Sequence, residues 1–278
     1  MQGERCYLTI VHWPGAMPES QRRSLLAQAA GLDPHAAGAV LARPTPTIAC
    51  MVEATVVAAV VVPLRSAGVI AIAPSESTID ACSRRLAAKR LERAGDDGTL
   101  LVHPWRGQGR IVRAGEITLM VRARILLRSA RSDGALLASQ ALSASGDVYD
   151  SVLSDAHTTR FGQFVDLLDL YDPHGAPVRI DGRKFSFDVL PERGYSDKEN
   201  IDRMCGLLLS LRGGAPVLPI DDGFARWRPP PHLLSHRSAP SVAPGASRTH
   251  DETPAFDFYS AWRFIAHCAE AQAGRDGL

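Results

Sequence analysis

Between Cys6 and Ala73 the chain sets out strand and helix signals in one order, and that order constrains the fold more than any other feature. Cys6 to Trp13 (CYLTIVHW) is β-branched and aromatic and reads as a strand, ended by Pro14 and Gly15. Pro18 to Ala30 opens with proline and glutamate and stops before Gly31, the asymmetry expected of a helix. Asp33 to Ala42 reads as a second helix, with Asp33 as N-cap and Pro34 in the first turn. Thr47 to Val52 is a second strand. Glu53 to Ala67 reads as a third helix despite its β-branched residues, because Gly68 closes it, and Val69 to Ala73 is a third strand. Such a segment folds as a small strand-helix-helix-strand-helix-strand module.

This order, with Gly31-Leu32 ahead of an alanine-rich helix and a proline behind it, resembles the C-terminal domain of the ribosomal stalk protein over residues 5–74. The resemblance implies a small α/β fold that serves as a binding surface. The lysines with which that family meets translation factors have no counterpart, since no lysine precedes Lys89. A fold is therefore implied without the ribosomal role.

The remaining chain reads as α+β. Cys82 to Ala94 (CSRRLAAKRLERA) predicts a linker helix with a thin seam of Leu86 and Leu91. Thr99 to His103 and Ile117 to Leu127 predict strands, the second alternating Val121, Ala123 and Ile125 with Arg122 and Arg124. Ser129 to Gly162 has no regular pattern. Phe164 to Tyr171, the turn Asp172-Pro173-His174-Gly175 and Pro177 to Ile180 predict a hairpin, and Lys184 to Val189 another strand. Ser196 and Glu199 form a capping box for a helix running to about Arg212. A pleckstrin-like sheet with a capping helix fits this order. A proline- and serine-rich stretch follows, and then Phe256 to Ala271 predicts an aromatic helix with Phe258, Trp262, Ile265 and Ala269 on one stripe. The expected organisation is an α/β module (1–80), a linker helix (81–98), a β-rich α+β domain (99–228), a flexible linker (229–252) and a C-terminal amphipathic helix (253–278).

The charges are nearly balanced, 31 basic against 30 acidic, so no overall field draws the chain to nucleic acid or to a membrane. Only Lys89, Lys184 and Lys198 are lysines, a bias that a GC-rich bacterial genome would itself produce. Within the balance lies a basic belt, twelve arginines and lysines against four acids from Arg84 to Arg131, while residues 131–278 carry 15 basic and 20 acidic side chains. The two halves can attract one another or a second copy. Five scattered cysteines, with no CxxC pair, point to a reducing, cytoplasmic setting. The longest apolar run, Thr55 to Leu64, is far short of the ~18 residues that suggest a membrane span.

Motifs for chemistry are sparse. GxxxxGK[ST], GxGxxG and GxSxG are absent, so no cofactor is called for. His232 and His236 stand four apart in HLLSH, but Leu233 occupies the place of the glutamate a zinc protease would carry. Asp169, Asp172, Asp181 and Lys184 are vaguely similar to the acid, acid and lysine of restriction-type nucleases, in which two carboxylates hold Mg²⁺ and the lysine orients water. The spacing departs from that family, because Gly182 and Arg183 both separate Asp181 from Lys184. The expectation is a non-enzymatic adaptor or binding protein that acts through its surfaces on a protein partner or on itself. Its contact residues would be Arg106, Arg110, Arg122 and Arg124, with Phe258 and Trp262 as apolar anchors. The alternative is a metal-dependent phosphodiesterase or nuclease. Nucleic-acid binding through the belt has little support, since Trp105 is the one aromatic interleaved among its arginines.

Overall fold

The computed structural model describes residues 3–132, 158–230 and 247–275. It divides into two compact units, one of Met1–Arg85 with Phe258–Leu278 and one of Leu86–Asp257. Helices and strands are both abundant and form two separate sheets, an α+β fold.

In the first unit β1 (Arg5–His12), α1 (Glu19–Ala30), α2 (Pro34–Leu41), β2 (Thr47–Glu53), α3 (Val57–Ser66) and β3 (Ile70–Ile72) follow in the expected order. The punctuation is physical. Asp33 accepts hydrogen bonds from the backbone N–H of His35 and of Ala36, both at 2.9 Å, which satisfies two orphan donors of α2. Gly31 adopts φ +64° beyond α1 and Gly68 φ +79° beyond α3, left-handed conformations that favour glycine. The sheet is antiparallel in the order β2-β1-β3. One face sets Leu8 and Ile10 against Leu26, Ala37, Val40, Val60, Val61 and Leu64. Ser75 caps α4 (Glu76–Cys82), accepting from the N–H of Thr78 at 3.2 Å.

The second unit is built on an eight-stranded mixed sheet. Its strands are β4 (Leu86–Arg93), β5 (Thr99–Pro104), β6 (Arg110–Arg113), β7 (Leu119–Ser132), β8 (Thr158–Tyr171), β9 (Val178–Asp181), β10 (Ile220–Asp221) and β11 (Ser247–Asp251). They run in the order β10-β7-β8-β9-β4-β5-β6, with β11 pairing β7 beyond β10. Helix α5 (Asp197–Ser210) sends Ile201, Met204, Cys205 and Leu208 into a core with Leu100, Val102, Met120, Leu168, Leu170, Val178 and Ile180. Ser196 accepts from Glu199 N–H as the capping box requires, while the Glu199 carboxylate reaches back to Tyr195 N–H at 2.9 Å, one residue earlier than the usual partner. Helix α6 (Thr253–Arg275) closes the chain.

Several expectations are corrected. The linker helix over 82–94 does not form: after α4 ends at Cys82, residues 86–93 are the strand β4, paired parallel with β9 and antiparallel with β5. The helix-forming Ala, Lys, Arg and Glu side chains yield to ladder bonds on both edges. Leu86 and Leu91, five apart, both face the core because the register shifts between Ala88 and Arg90. Lys184 to Val189 makes a turn and a single bridge, Arg90 to Ser186, rather than a strand. Phe185 and Phe187 nevertheless meet edge to face at 4.9 Å. The parallel β4–β9 and β10–β7 pairs depart from the antiparallel order of a pleckstrin-like sheet. The unpatterned segment 129–162 contributes the ends of β7 and β8, and its residues 133–157 lie outside the described residues. Within the expected linker 229–252, residues 231–246, which include His232 and His236, also lie outside them, and Ser247–Asp251 is β11.

Candidate functional site

The four residues of the nuclease-like reading divide among three separate ion pairs. Asp169 is wholly buried on β8 and receives Arg179 Nε at 2.7 Å and Nη2 at 2.8 Å. Arg179 Nη1 donates to Asp257 at 2.5 Å, and its guanidinium lies 5.0 Å from the Phe256 ring centre. The two carboxylates hold the Arg179 pKa above its ordinary value although burial acts against the charge. Asp172 is buried too, accepting from Arg110 at 3.0 and 2.5 Å and from the N–H of His174 at 2.9 Å. Asp181 accepts from the N–H of Arg183 at 3.0 Å, and the exposed Lys184 ammonium stands 3.7 Å away. Asp166, Asp169 and Asp172 are all buried, the first two on β8, which lies between β7 and β9 in the sheet interior. Burial raises the Asp166 pKa; Arg124 opposes the shift and Asp197 adds to it. Among the described residues no three His, Cys, Asp or Glu side chains gather as a metal-holding group.

The expected contact residues separate into buried and free. Phe258 and Trp262 are not surface anchors. Phe258 packs edge to face on Tyr7 at 4.8 Å, and the Trp262 indole donates to the Thr9 hydroxyl at 2.9 Å. Both belong to the core of the first unit, where α6 covers the Tyr7–Thr9 face of β1. A tryptophan this deeply buried places its N–H on a buried acceptor. Arg110 is spent on Asp172, and Arg122 pairs with Asp202 at 2.5 Å and with Asp222 at 3.7 Å. Arg124 remains exposed over the ring of Phe164, 4.7 Å away, and Arg106 is exposed in the turn between β5 and β6.

The surface that stays open lies on β4, β5 and β6. Strand alternation sends Leu91, Leu100, Val102 and Val112 inward. The other face carries Arg90 opposite His103 and then Glu92, Leu101 and Ile111 in one cross-strand row, with Arg113 at the end. Trp105 follows His103 on the same face, 51% exposed, and Ile111 is 60% exposed. Lys89, pushed out by the register shift, sets its ammonium 5.6 Å from the Trp105 ring centre. Glu92 is shared by His103 at 2.9 Å and Arg90 at 3.3 Å, and Arg113 pairs with Glu116 at 3.1 Å. Gly109 lets the turn close, since a Cβ there would stand 2.7 Å from the Val102 carbonyl oxygen. Lys89 and Arg90 were not singled out from the sequence because 82–94 read as a helix, and Ile111 because no strand was expected over 104–116, where β6 forms. The readable signal was the alternation of Thr99–His103, which already turns Leu101 and His103 to one side.

No family model, curated protein or solved structure matches this chain. Among the described residues no helix is long and apolar enough to cross a membrane.

Proposed function

We propose that the chain is a non-enzymatic binding protein that meets an acidic segment of a partner protein on the open face of β4, β5 and β6. The observation that carries this reading is the exposure of Trp105 and Ile111 within a patch whose charges are Lys89, Arg90, Arg106 and Arg113 against Glu92 and Glu116. Contiguous apolar area rimmed by polar groups marks interaction sites, and tryptophan and arginine are enriched among residues that dominate binding. A single exposed aromatic suits a peptide side chain better than a run of stacked bases. The cysteines form no disulfide among the described residues, which accords with a reducing, cytoplasmic setting.

The test is titration of the full chain with fluorescent peptides that alternate Asp or Glu with Leu or Phe, beside Lys-substituted counterparts and oligo(dT). The expected result is salt-sensitive binding of the acidic peptides that weakens about tenfold in Trp105→Ala and in Ile111→Asp, as loss of a central contact requires. Binding that ignores both substitutions, or tighter binding of oligo(dT), would overturn the proposal.

A further inference from the structure

In an antiparallel ladder every second residue turns its N–H and C=O to the same neighbouring strand. The Thr99 carbonyl accepts from Ala94 N–H at 2.9 Å, toward β4, and the Gly98 carbonyl accepts from Ala114 N–H at 2.9 Å, toward the β6 side. Leu100 and Val102 therefore serve β6 as well, where Val112 and Arg110 stand opposite them. That leaves Ile111 with its N–H and C=O, and Arg113 with its N–H, aimed away from β5. β6 is the last strand in its sheet, and among the described residues no backbone group bonds these three from outside. Edges of this kind are ordinarily blunted by a proline, a bulge or a charge held over the strand. β6 has no proline, and its register with β5 runs unbroken. Neither of its arginines guards the edge: Arg110 is drawn to Asp172 and to the Ala176 carbonyl at 2.8 Å, and Arg113 to Glu116.

We infer, resting on the peptide-binding reading above, that the acidic segment binds as an added strand along the outer edge of β6. Its backbone takes up the N–H and C=O of Ile111 and the N–H of Arg113, and its side chains supply the choice of sequence. The added strand extends the cross-strand row of Glu92, Leu101 and Ile111 by one residue, so an apolar side chain there covers Ile111, which is more than half exposed. Arg106, exposed in the turn before β6, and Arg113 at its far end give both ends of the edge a cation for an acidic side chain. A second copy of this chain fits the same edge poorly. In either direction its Arg106 and Arg113 would come alongside these two, and like charges on neighbouring strands repel.

The test is calorimetric titration of the full chain with the tightest acidic peptide of the series and with versions of it N-methylated at one residue at a time. An added strand predicts alternation: methylation at every second position removes a donor to the edge and weakens binding about tenfold, while the intervening positions change it by less than about threefold. Amide exchange followed by NMR reads the same ladder from the other side. Saturating peptide should slow the Ile111 and Arg113 amides about tenfold or more, as new hydrogen bonds require. Peptide binding that shows no alternation, or that leaves both amides exchanging as before, overturns the added strand and leaves the peptide-binding face standing. A chain that binds none of the peptides overturns both.

Discussion

Replacing Asp169 by alanine removes the carboxylate that receives two guanidinium hydrogen bonds of Arg179 in the middle of the second sheet. The Asp169 side chain has no exposed surface and the Arg179 side chain only 11%, so water cannot take over the lost contacts. Arg179 keeps Asp257, at 2.5 Å, but that carboxylate is one-third exposed and reaches only one of its nitrogens. Removing one partner of a buried pair costs about 3–5 kcal/mol, because the remaining charge is left without compensation. Against a total stability of about 5–15 kcal/mol that is a large fraction. Urea unfolding followed by tryptophan fluorescence at pH 7 should move to a clearly lower midpoint with little change in slope. The control is Asp169→Leu with Arg179→Met, which fills similar volume without charge. That pair should recover most of the loss, since a buried ion pair is often no more stable than its apolar replacement. A loss below about 1 kcal/mol for Asp169→Ala, or a double variant no better than the single, would refute the assignment of Asp169 and Arg179 as a desolvated pair.

Other consequences are as direct. Burial lifts the Asp166 carboxyl above its ordinary range, so the folded state holds a proton that the unfolded state has released, and stability falls as pH rises through that window. Asp166→Asn should therefore raise the melting temperature at pH 7, with a gain that shrinks toward about pH 4, near the ordinary aspartate value. Tyr7, buried against Phe258, has its hydroxyl pushed up to about 12, chiefly by burial. Stability should fall with alkaline pH from the ordinary tyrosine value of about 10 upward, and Tyr7→Phe should flatten that fall in pH-dependent thermal melts. Trp262→Phe removes the donor to Thr9 in a closed core and should cost about 1–3 kcal/mol in chemical denaturation. Gly98→Ala should be damaging in the turn between β4 and β5, where Gly98 is buried, because φ is +77° and the new Cβ would stand 2.4 Å from the Leu211 carbonyl oxygen. The left-handed backbone alone costs about 1–2 kcal/mol, and a calorimetric melt lowered by less than that would count against this backbone geometry.

How much of this was readable depends on how local the cause is. Asp33, Pro34, Gly31 and Gly68 act within a few residues of themselves, so the helices of the first module stand where their caps put them. β4 was not readable in the same way. Its partner β9 lies some ninety residues onward and pairs in parallel, and nothing between Arg84 and Ala94 announces that contact. The burial of Asp169 lies between these cases. The turn at Asp172–Gly175 sets a hairpin register in which Asp169 stands opposite Arg179, so the ion pair follows from the sequence once the hairpin is accepted. What it does not tell is that β7 closes the other edge of β8 and leaves the carboxylate no route to water. Phe258 and Trp262 are a case of the opposite kind. Their helical stripe has to be buried against its own domain or a partner, but an amphipathic stripe does not say which apolar surface it covers, and here that surface is the Tyr7–Thr9 face of β1 rather than a partner.

The same distinction bears on the arginines. Genome composition can account for arginine standing where lysine could, but it acts on every codon alike and has no knowledge of the fold. The structure is not indifferent in that way. Where the second sheet is overlaid by α5, by the first turn of α6 or by the loop before β9, its arginines are consumed by acids: Arg110 by Asp172, Arg122 by Asp202, Arg179 by Asp169 and Asp257. On the open strands β4, β5 and β6 the acids are too few. Arg90 shares Glu92 with His103, while Lys89 rests on an exposed tryptophan and Arg106 extends into solvent. Exposed ion pairs of this kind contribute about 0–1 kcal/mol each, so folding gains little from keeping the cations there. Unneutralised charge beside exposed Trp105 and Ile111 is a poor arrangement for a face that only meets water, and a serviceable one for a face that receives an acidic, partly apolar chain.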